Sequence, residues 1–551
     1  MSHASAPYVP RRPQESLYYR LVKEHRRELV EHAREHYAAP LPKHVEDELR
    51  GVLSCGDFGE GFVLLACRSC GHALMVAFSC KRRGACPSCA GRRMAGSAAH
   101  LVDRILPSRP VRQFVLSFPY ELSNLAAVHP AVLRHLCKVF WEALRRRYAR
   151  WAKGAGYVAA ETGAVTGVQR FGSSLNLHVH FHVLVVDGVH FFEDDELRFA
   201  DAPAPTTDEL EALVKYVHGR VMKWLAKRGY LRDPKAAHDS NEEPQLSLAE
   251  ALVLTGSQRG TFATTKDRAA NDDDEHSAHA GSKSPTSSGA VTFERFNLHA
   301  GVHLAADDDR GRERLCRYLT RPAFALDRLG QRADGMVTYR VKKVGRGREK
   351  VRVMTPLDFM ARLASLIPPP RYPLLRFHGV LAPRHVWRDR VVPKPPPAKT
   401  KKKACDDATA NTNDSGKTTT RPAAAPPKPE RHPGDGREVF SFPEPVHAVP
   451  LREFLDSGVA ENVAPNILSV AHWERLNRGE LYAPLARVEW ATLLKRTFGT
   501  DVKKCGRCGA TVAVKAVVTE PDAIEKMLRT LRAPGATGSA RAPPANANAH
   551  P

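Results

Sequence analysis

Residues 175–189 read LNLHVHFHVLVVDGV, a run in which positions 178, 180 and 182 are histidine and the neighbours are almost wholly apolar. A period of two belongs to a β-strand, whose successive side chains point to opposite faces. His178, His180 and His182 therefore share one face, and Val179, Phe181 and Val183 share the other. The second face is ready for a core. The first is solvated, hydrogen-bonded or holding a metal. Two imidazoles at i and i+2 stand about 7 Å apart at their Cα atoms, close enough for both to reach one divalent ion. Such a pair gives two ligands; Mg2+ there needs phosphate oxygen from a substrate and a third side chain, for which Asn176, His178 and His299 are candidates.

The flanking sequence builds a domain around this strand. GAVTGVQRF (163–171) is a second strand joined to it by a short turn region, and RQFVLSFPY (112–120) is a third. AVLRHLCKVFWEALRRRYARWA (131–152) is an amphipathic helix exposing Arg145, Arg146 and Arg147, and another helix spans roughly 208–230. FERFNLHAGVHLAA (293–306), the short helix GRERLCRYLTR (311–321) and a hairpin in MVTYRVKKVGRGREKVRVMT (336–355) follow. The pattern is α+β. Upstream, residues 16–39 form a basic amphipathic helix that leads into a Cys-rich block.

Composition bears on the class of partner. The 551 residues are 42% apolar, enough for about three domains. Lys and Arg number 83 against 60 for Asp and Glu, a net charge of +23 that favours a polyanion, with nucleic acid the first candidate. No apolar run reaches the roughly 20 residues of a membrane span, and MSHASAPYVPRRPQE lacks the apolar core of a secretory signal. The expectation is a cytoplasmic, nucleoid-associated protein without membrane contact. The expected organisation is an N-terminal helix and zinc-binding domain over 1–100, a main domain over 105–385 with a disordered insert at 255–291, a flexible linker at 391–436, a small C-terminal region at 437–532 and a disordered tail at 533–551.

Eleven cysteines, mostly in C-x2-C pairs, indicate zinc rather than disulfides in such a chain. Cys67-x2-Cys70, fifteen residues, then Cys86-x2-Cys89 fits one four-thiolate site, structural because no coordination position stays open. Cys55 and Cys80 are then spare, either buried or alternative ligands, and Cys505-x2-Cys508 is half a site. The knuckles are surrounded by Lys81, Arg82, Arg83, Arg92 and Arg93, which suit DNA phosphates.

The blocks FSCKRRGACPSCAGRRM, FVLSFPY, LNLHVHFHVLVVDGV, LHAGVHL, ERLCRYLTRPAFALDRL and LIPPPRYPLLRFHGVLAP, in that order, resemble the rolling-circle insertion-sequence transposases of the IS91 type. The resemblance covers roughly residues 20–385. It implies a zinc-ribbon-like domain followed by an HUH nuclease with a central antiparallel sheet flanked by helices. In that family the HUH pair, here His180 and His182, holds Mg2+ or Mn2+ on the scissile phosphate, and a helix-borne tyrosine, here Tyr318, attacks phosphorus. The implied products are a 5′-phosphotyrosine and a free 3′-hydroxyl, with single-stranded or hairpin element ends as substrate. Arg317 and Arg321 flank Tyr318 and are candidate phosphate contacts. Paired-tyrosine members carry a second tyrosine one turn later, where this chain has Pro322; Tyr339 is a distant alternative in a strand-like context. A replication initiator or relaxase with the same chemistry, and a zinc-dependent DNA-binding protein without catalysis, are the rival readings.

Overall fold

The histidine run is a central strand in the computed structural model, which describes residues 11–36, 40–231, 289–341, 351–370, 372–394, 490–498 and 500–532. Helices α1 (Leu17–His36) and α2 (Lys43–Ser54) lead to strands β1 (Phe62–Cys67) and β2 (Ala73–Ala77) and to helix α3 (Pro87–Arg104). Next come β3 (Val111–Ser117), α4 (Tyr120–Val128), α5 (Pro130–Gly154), β4 (Gly163–Phe171), β5 (Leu177–Val186), the hairpin β6 (Gly188–Glu193) and β7 (Glu196–Asp201), and α6 (Thr207–Lys227). The chain continues through β8 (Ala290–Phe293), β9 (Phe296–Leu304), α7 (Asp309–Leu319), β10 (Leu329–Gln331), β11 (Val337–Arg340), β12 (Val351–Met354), α8 (Pro356–Leu366) and β13 (Leu375–Gly379). It ends with α9 (Trp490–Phe498), β14 (Val512–Val518) and α10 (Pro521–Arg532).

Six strands form one sheet in the order β13-β4-β5-β3-β9-β8, and every adjacent pair is antiparallel. The expected α+β architecture is present, with helices on both faces. Val179, Phe181 and Val183 enter the larger core with residues of α4, α5 and α6, where Phe118 meets the Phe181 ring edge-on at 5.1 Å. On the opposite face Leu184 and Val186 of β5 pack with Leu101 of α3, Ile105 just past its end, and Cys316 and Leu319 of α7. That face is apolar at one end of β5 and imidazole at the other, so the strand is buried along its whole length.

Local chemistry sets the helix that crosses this face. The Asp308 carboxylate caps α7 by accepting from the Gly311 N–H at 2.8 Å, and Pro322 stands just past its C-terminus, where a continuing helix would need its N–H. The last turn lies directly on β4. A methyl group at Gly167, the partner of His182 across the ladder, would stand 2.4 Å from Leu319 Cδ1 and 3.0 Å from the Leu319 carbonyl oxygen. Only a residue without Cβ lets the helix come this close.

Two features tie the front of the chain to the rest. Helix α3 starts at the cysteine knuckles and runs unbroken to Arg104 against α7, so the expected boundary near residue 100 falls inside a shared helix. Strand β14 pairs with β1, Cys67 opposite Val512, to give a three-stranded sheet β14-β1-β2. Part of the expected C-terminal region is thereby built into the N-terminal module. The expected hairpin is present as β11 paired with β12, Tyr339 opposite Arg352, its turn lying outside the described residues. The expected insert at 255–291 up to residue 288, the linker at 391–436 beyond residue 394, and the tail at 533–551 also lie outside them. No described helix is long and apolar enough to cross a membrane.

Gly167→Ala should force the last turn of α7 outward, an overpacking cost of about 1–3 kcal/mol that chemical denaturation would read as a lower midpoint at unchanged slope.

Candidate functional site

The imidazole end of β5 belongs to a polar patch that spans four strands. Residues paired directly across an antiparallel ladder project to the same side. Gln169, His180, Ser117 and Asn297 are so paired from β4 through β5 and β3 to β9, and Gly167, His182, Val115 and His299 form the adjacent row. His180 and His182 are 3% and 0% exposed, and their ring centroids are 4.9 Å apart. The Nδ1 of His180 faces the His178 carbonyl at 3.2 Å, and the Nδ1 of His182 faces the Gln113 amide at 2.7 Å. A metal-bound histidine is commonly held in this way, one ring nitrogen fixed by a neighbouring carbonyl or amide while the other ligates.

The three candidates for a further ligand differ. Asn176 is held in the turn before β5, its side-chain oxygen accepting from the Ser174 hydroxyl at 2.8 Å. The His178 ring is 5.0 Å from that of His180. His299 sits in the row of His182 with Val115 between them. Among the described residues no third imidazole or carboxylate converges with His180 and His182 on one point.

Helix α7 brings Tyr318 to this patch. Its ring stands edge-on to His182, with centroids 5.2 Å apart and planes at 85°. Gln169 Nε2 donates to the Tyr318 carbonyl at 2.7 Å, and Arg321 donates from Nε to Gln169 Oε1 at 3.4 Å. The Arg321 guanidinium lies 4.6 Å over the Tyr318 ring and 5.1 Å over Phe171. Position 322, where a second tyrosine would sit, is beyond the helix end. Tyr339 is buried in β11 of a separate sheet, where its hydroxyl accepts from the Ala325 N–H at 3.3 Å and burial pushes its phenol up from the ordinary value.

The basic residues sort differently from the expectation. Arg317 is corrected: it is not on the helix surface but 6% exposed, its Nε donating to Glu313 Oε1 at 3.0 Å, so that the i−4 carboxylate compensates the buried guanidinium. Arg83, Arg93 and Arg321 do come together, around a cleft of about 240 Å³ that Gln169, Arg170 and Pro322 also line. Arg93 donates to the Lys81 and Arg82 carbonyls at 3.2 and 3.4 Å, and Arg83 to the Tyr372 carbonyl at 2.6 Å. Lys81 and Arg92 are exposed, and the Arg82 side chain lies over Gly51.

The cysteines divide in a way that spacing did not foresee. Cys86 and Cys89 join Cys55 and Cys80, whereas Cys67 and Cys70 join Cys505 and Cys508. The single site of Cys67, Cys70, Cys86 and Cys89 is thus corrected to two groups of four, each sulfur within 4.8 Å of the others in its group. The pairing follows the fold: Cys86 precedes the first turn of α3 and Cys55 ends α2, while β1 and β14 bring the other two pairs together. Sulfur–sulfur distances such as 3.4 Å for Cys55–Cys86 and 3.7 Å for Cys55–Cys89 are near the edge of roughly 3.8 Å that a tetrahedron with 2.3 Å Zn–S bonds requires.

Sequence reasoning missed Gln113 and Gln169, each a glutamine among mostly apolar strand residues in RQFVLSF and TGVQRF. That mismatch was the available signal. Of the two readings left open for Cys55 and Cys80, buried or alternative ligands, the structure places both with Cys86 and Cys89. The glycine after each of two knuckles, Cys70-Gly71 and Cys508-Gly509 but Cys89-Ala90, distinguishes which pairs match.

Residues 22–118 match the family model described as "Transposase zinc-binding domain", and residues 163–388 match one described as "Putative transposase". No curated protein and no solved structure matches the chain. The first match contains Cys55, Cys67, Cys70, Cys80, Cys86 and Cys89, and the second contains the histidine row and Tyr318. The cysteines of the front module hold structural zinc. Cys55→Ser should remove about one equivalent of bound zinc, counted by elemental analysis, and expose the 55–89 region to protease; unchanged zinc content would refute the new ligand set.

Proposed function

The chain belongs to the IS91-type transposases, and on that premise we propose that it nicks and transfers single-stranded DNA at element ends, with Tyr318 as nucleophile and His180 and His182 as ligands of a divalent ion. The observation that carries the reading is the docking of Tyr318 edge-on to His182 by a helix seated on Gly167. Two groups far apart in the chain meet on one sheet face, and a purely structural tyrosine needs no such partner.

The donor set fits Mg2+ or Mn2+ completed by phosphate oxygens: two imidazoles with Nδ1 already engaged, beside amide and hydroxyl groups and no thiolate. A bound ion supplies polarisation of the scissile phosphate. The chain's own groups do the rest. Tyr318 presents its phenolic oxygen, which loses its proton to water and forms a bond to phosphorus. The bond from phosphorus to the 3′ oxygen breaks, and that oxygen takes up a proton to leave as a hydroxyl. The product is a 5′-phosphotyrosine. Attack by a 3′-hydroxyl of another strand reverses the step and joins the strands. Arg321 lies over the nucleophile's ring, and Gln169 holds the helix end by the Tyr318 carbonyl. The cleft lined by Arg83, Arg93 and Arg321 is of a size for an unpaired nucleotide and its phosphate rather than a duplex.

Tyr318→Phe should abolish the covalent protein–DNA band on a denaturing gel with labelled single-stranded end DNA and Mn2+, while DNA affinity stays within about twofold, since only a hydroxyl is removed. A band that persists would overturn the nucleophile. Gln113→Leu should weaken Mn2+ binding roughly 10- to 100-fold by calorimetry, because His182 loses the group that fixes its ring; unchanged affinity would remove His182 from the ligand set.

A further inference from the structure

Of the two cysteine groups, Cys55, Cys80, Cys86 and Cys89 lie wholly within the matched zinc-binding region. The other is assembled from Cys67 and Cys70 at one end of the chain and Cys505 and Cys508 at the other, and the latter two lie outside both matched regions. The two halves are the same local structure. In each, the residue after the second cysteine is a glycine with positive φ, 71° at Gly71 and 74° at Gly509, a conformation that favours glycine. Gly71 N–H donates to the Cys67 carbonyl at 3.1 Å, and Gly509 N–H to the Cys505 carbonyl at 2.9 Å. Cys67 N–H donates to the His72 carbonyl at 2.8 Å, and Cys505 N–H to the Ala510 carbonyl at 2.8 Å. Two such turns facing each other form the tetrathiolate of a zinc ribbon. Their sulfurs stand at 3.5 Å (Cys67–Cys508), 3.6 Å (Cys70–Cys505) and 3.4 Å (Cys70–Cys508).

We propose that Cys67, Cys70, Cys505 and Cys508 bind a second structural zinc ion that staples residues 490–532 onto the front module. The four thiolates fill the tetrahedron, so the ion has no open position and no part in chemistry. The staple has a second anchor. Lys495 Nζ donates to Asp501 Oδ2 at 2.7 Å, joining α9 to the loop before Cys505. From α9, Arg496 reaches Asp103 of α3 and Glu313 of α7, with Nη2 donating to the two carboxylates at 3.1 and 2.9 Å. The C-terminal segment thus ends, at its inner side, on the helix that carries Tyr318.

The test counts metal, so it stands or falls apart from the nucleophile assignment. The purified full-length chain should contain two zinc ions by native mass spectrometry, Cys508→Ser one, Cys55→Ser one, and the double variant none. Trypsin should release fragments of 490–532 from Cys508→Ser at least tenfold faster than from wild type. Should Cys508→Ser fail to fold, wild type alone still decides: cobalt(II) loading should saturate its tetrathiolate absorption at two equivalents. Cys70 and Cys508 are exposed whereas Cys55, Cys86 and Cys89 are buried, so a chelator should withdraw the metal in two phases, fast then slow. One metal ion per wild-type chain, or two retained in Cys508→Ser, would overturn the proposal.

Discussion

A buried guanidinium between two carboxylates holds the molecule together. Arg496 is paired with Asp103 and Glu313, and Glu313 also takes Arg317, so four charges that sum to zero sit inside the fold at 7% exposure or less. Burial disfavours the Arg496 charge, but the two carboxylates outweigh it and raise its pKa above the ordinary value. Such a cluster is not a large source of stability in itself, since desolvation offsets most of the attraction. Its force lies in what happens when one member is missing, because the remaining charges are then stranded in an apolar place. The helix that begins at the zinc knuckles, the helix that carries Tyr318 and the C-terminal segment are therefore obliged to be present together.

The sheet face beneath them has a division of labour. One end of β5 offers Leu184 and Val186, on which α3 and α7 settle; the other offers His180 and His182. The apolar end fixes the helix, and the helix then holds its phenol over the polar end. Gly167 joins the two, since its missing side chain is what brings the last turn of α7 down to the level of the imidazoles. Precise placement of a reacting group usually comes from such rigid neighbours rather than from the group itself.

Much of this was legible in the sequence, and the rest was hidden for physical reasons. Alternation in LNLHVHFHVLVV declared β5, its two faces and the antiparallel company of GAVTGVQRF, because period two has no other regular reading. Tyr318 on a helix was legible too, though its meeting with His182 rested on the family resemblance. The zinc ligands were misgrouped because spacing rules see only near neighbours, and the partner of Cys67 and Cys70 lies 435 or more residues along the chain. Arg317 was misread because a short amphipathic helix looks solvent-facing until a second helix is laid on its charged side. Both errors concern contacts that only tertiary structure creates.

The joining of β1 to β14 has a consequence in time. A ribosome adds roughly 5–20 residues per second, and Cys508 follows Cys70 by 438 residues, so the front module exists for roughly 20–90 s before its last strand can be made. Throughout that interval β1 has β2 on one side and an open row of backbone donors and acceptors on the other, the kind of edge to which foreign strands add. Two thiols of the ribbon wait with it. The long cross-chain closure makes the nascent chain, rather than the finished protein, the vulnerable species, and it makes synthesis of Cys505 through β14 the event that seals the surface.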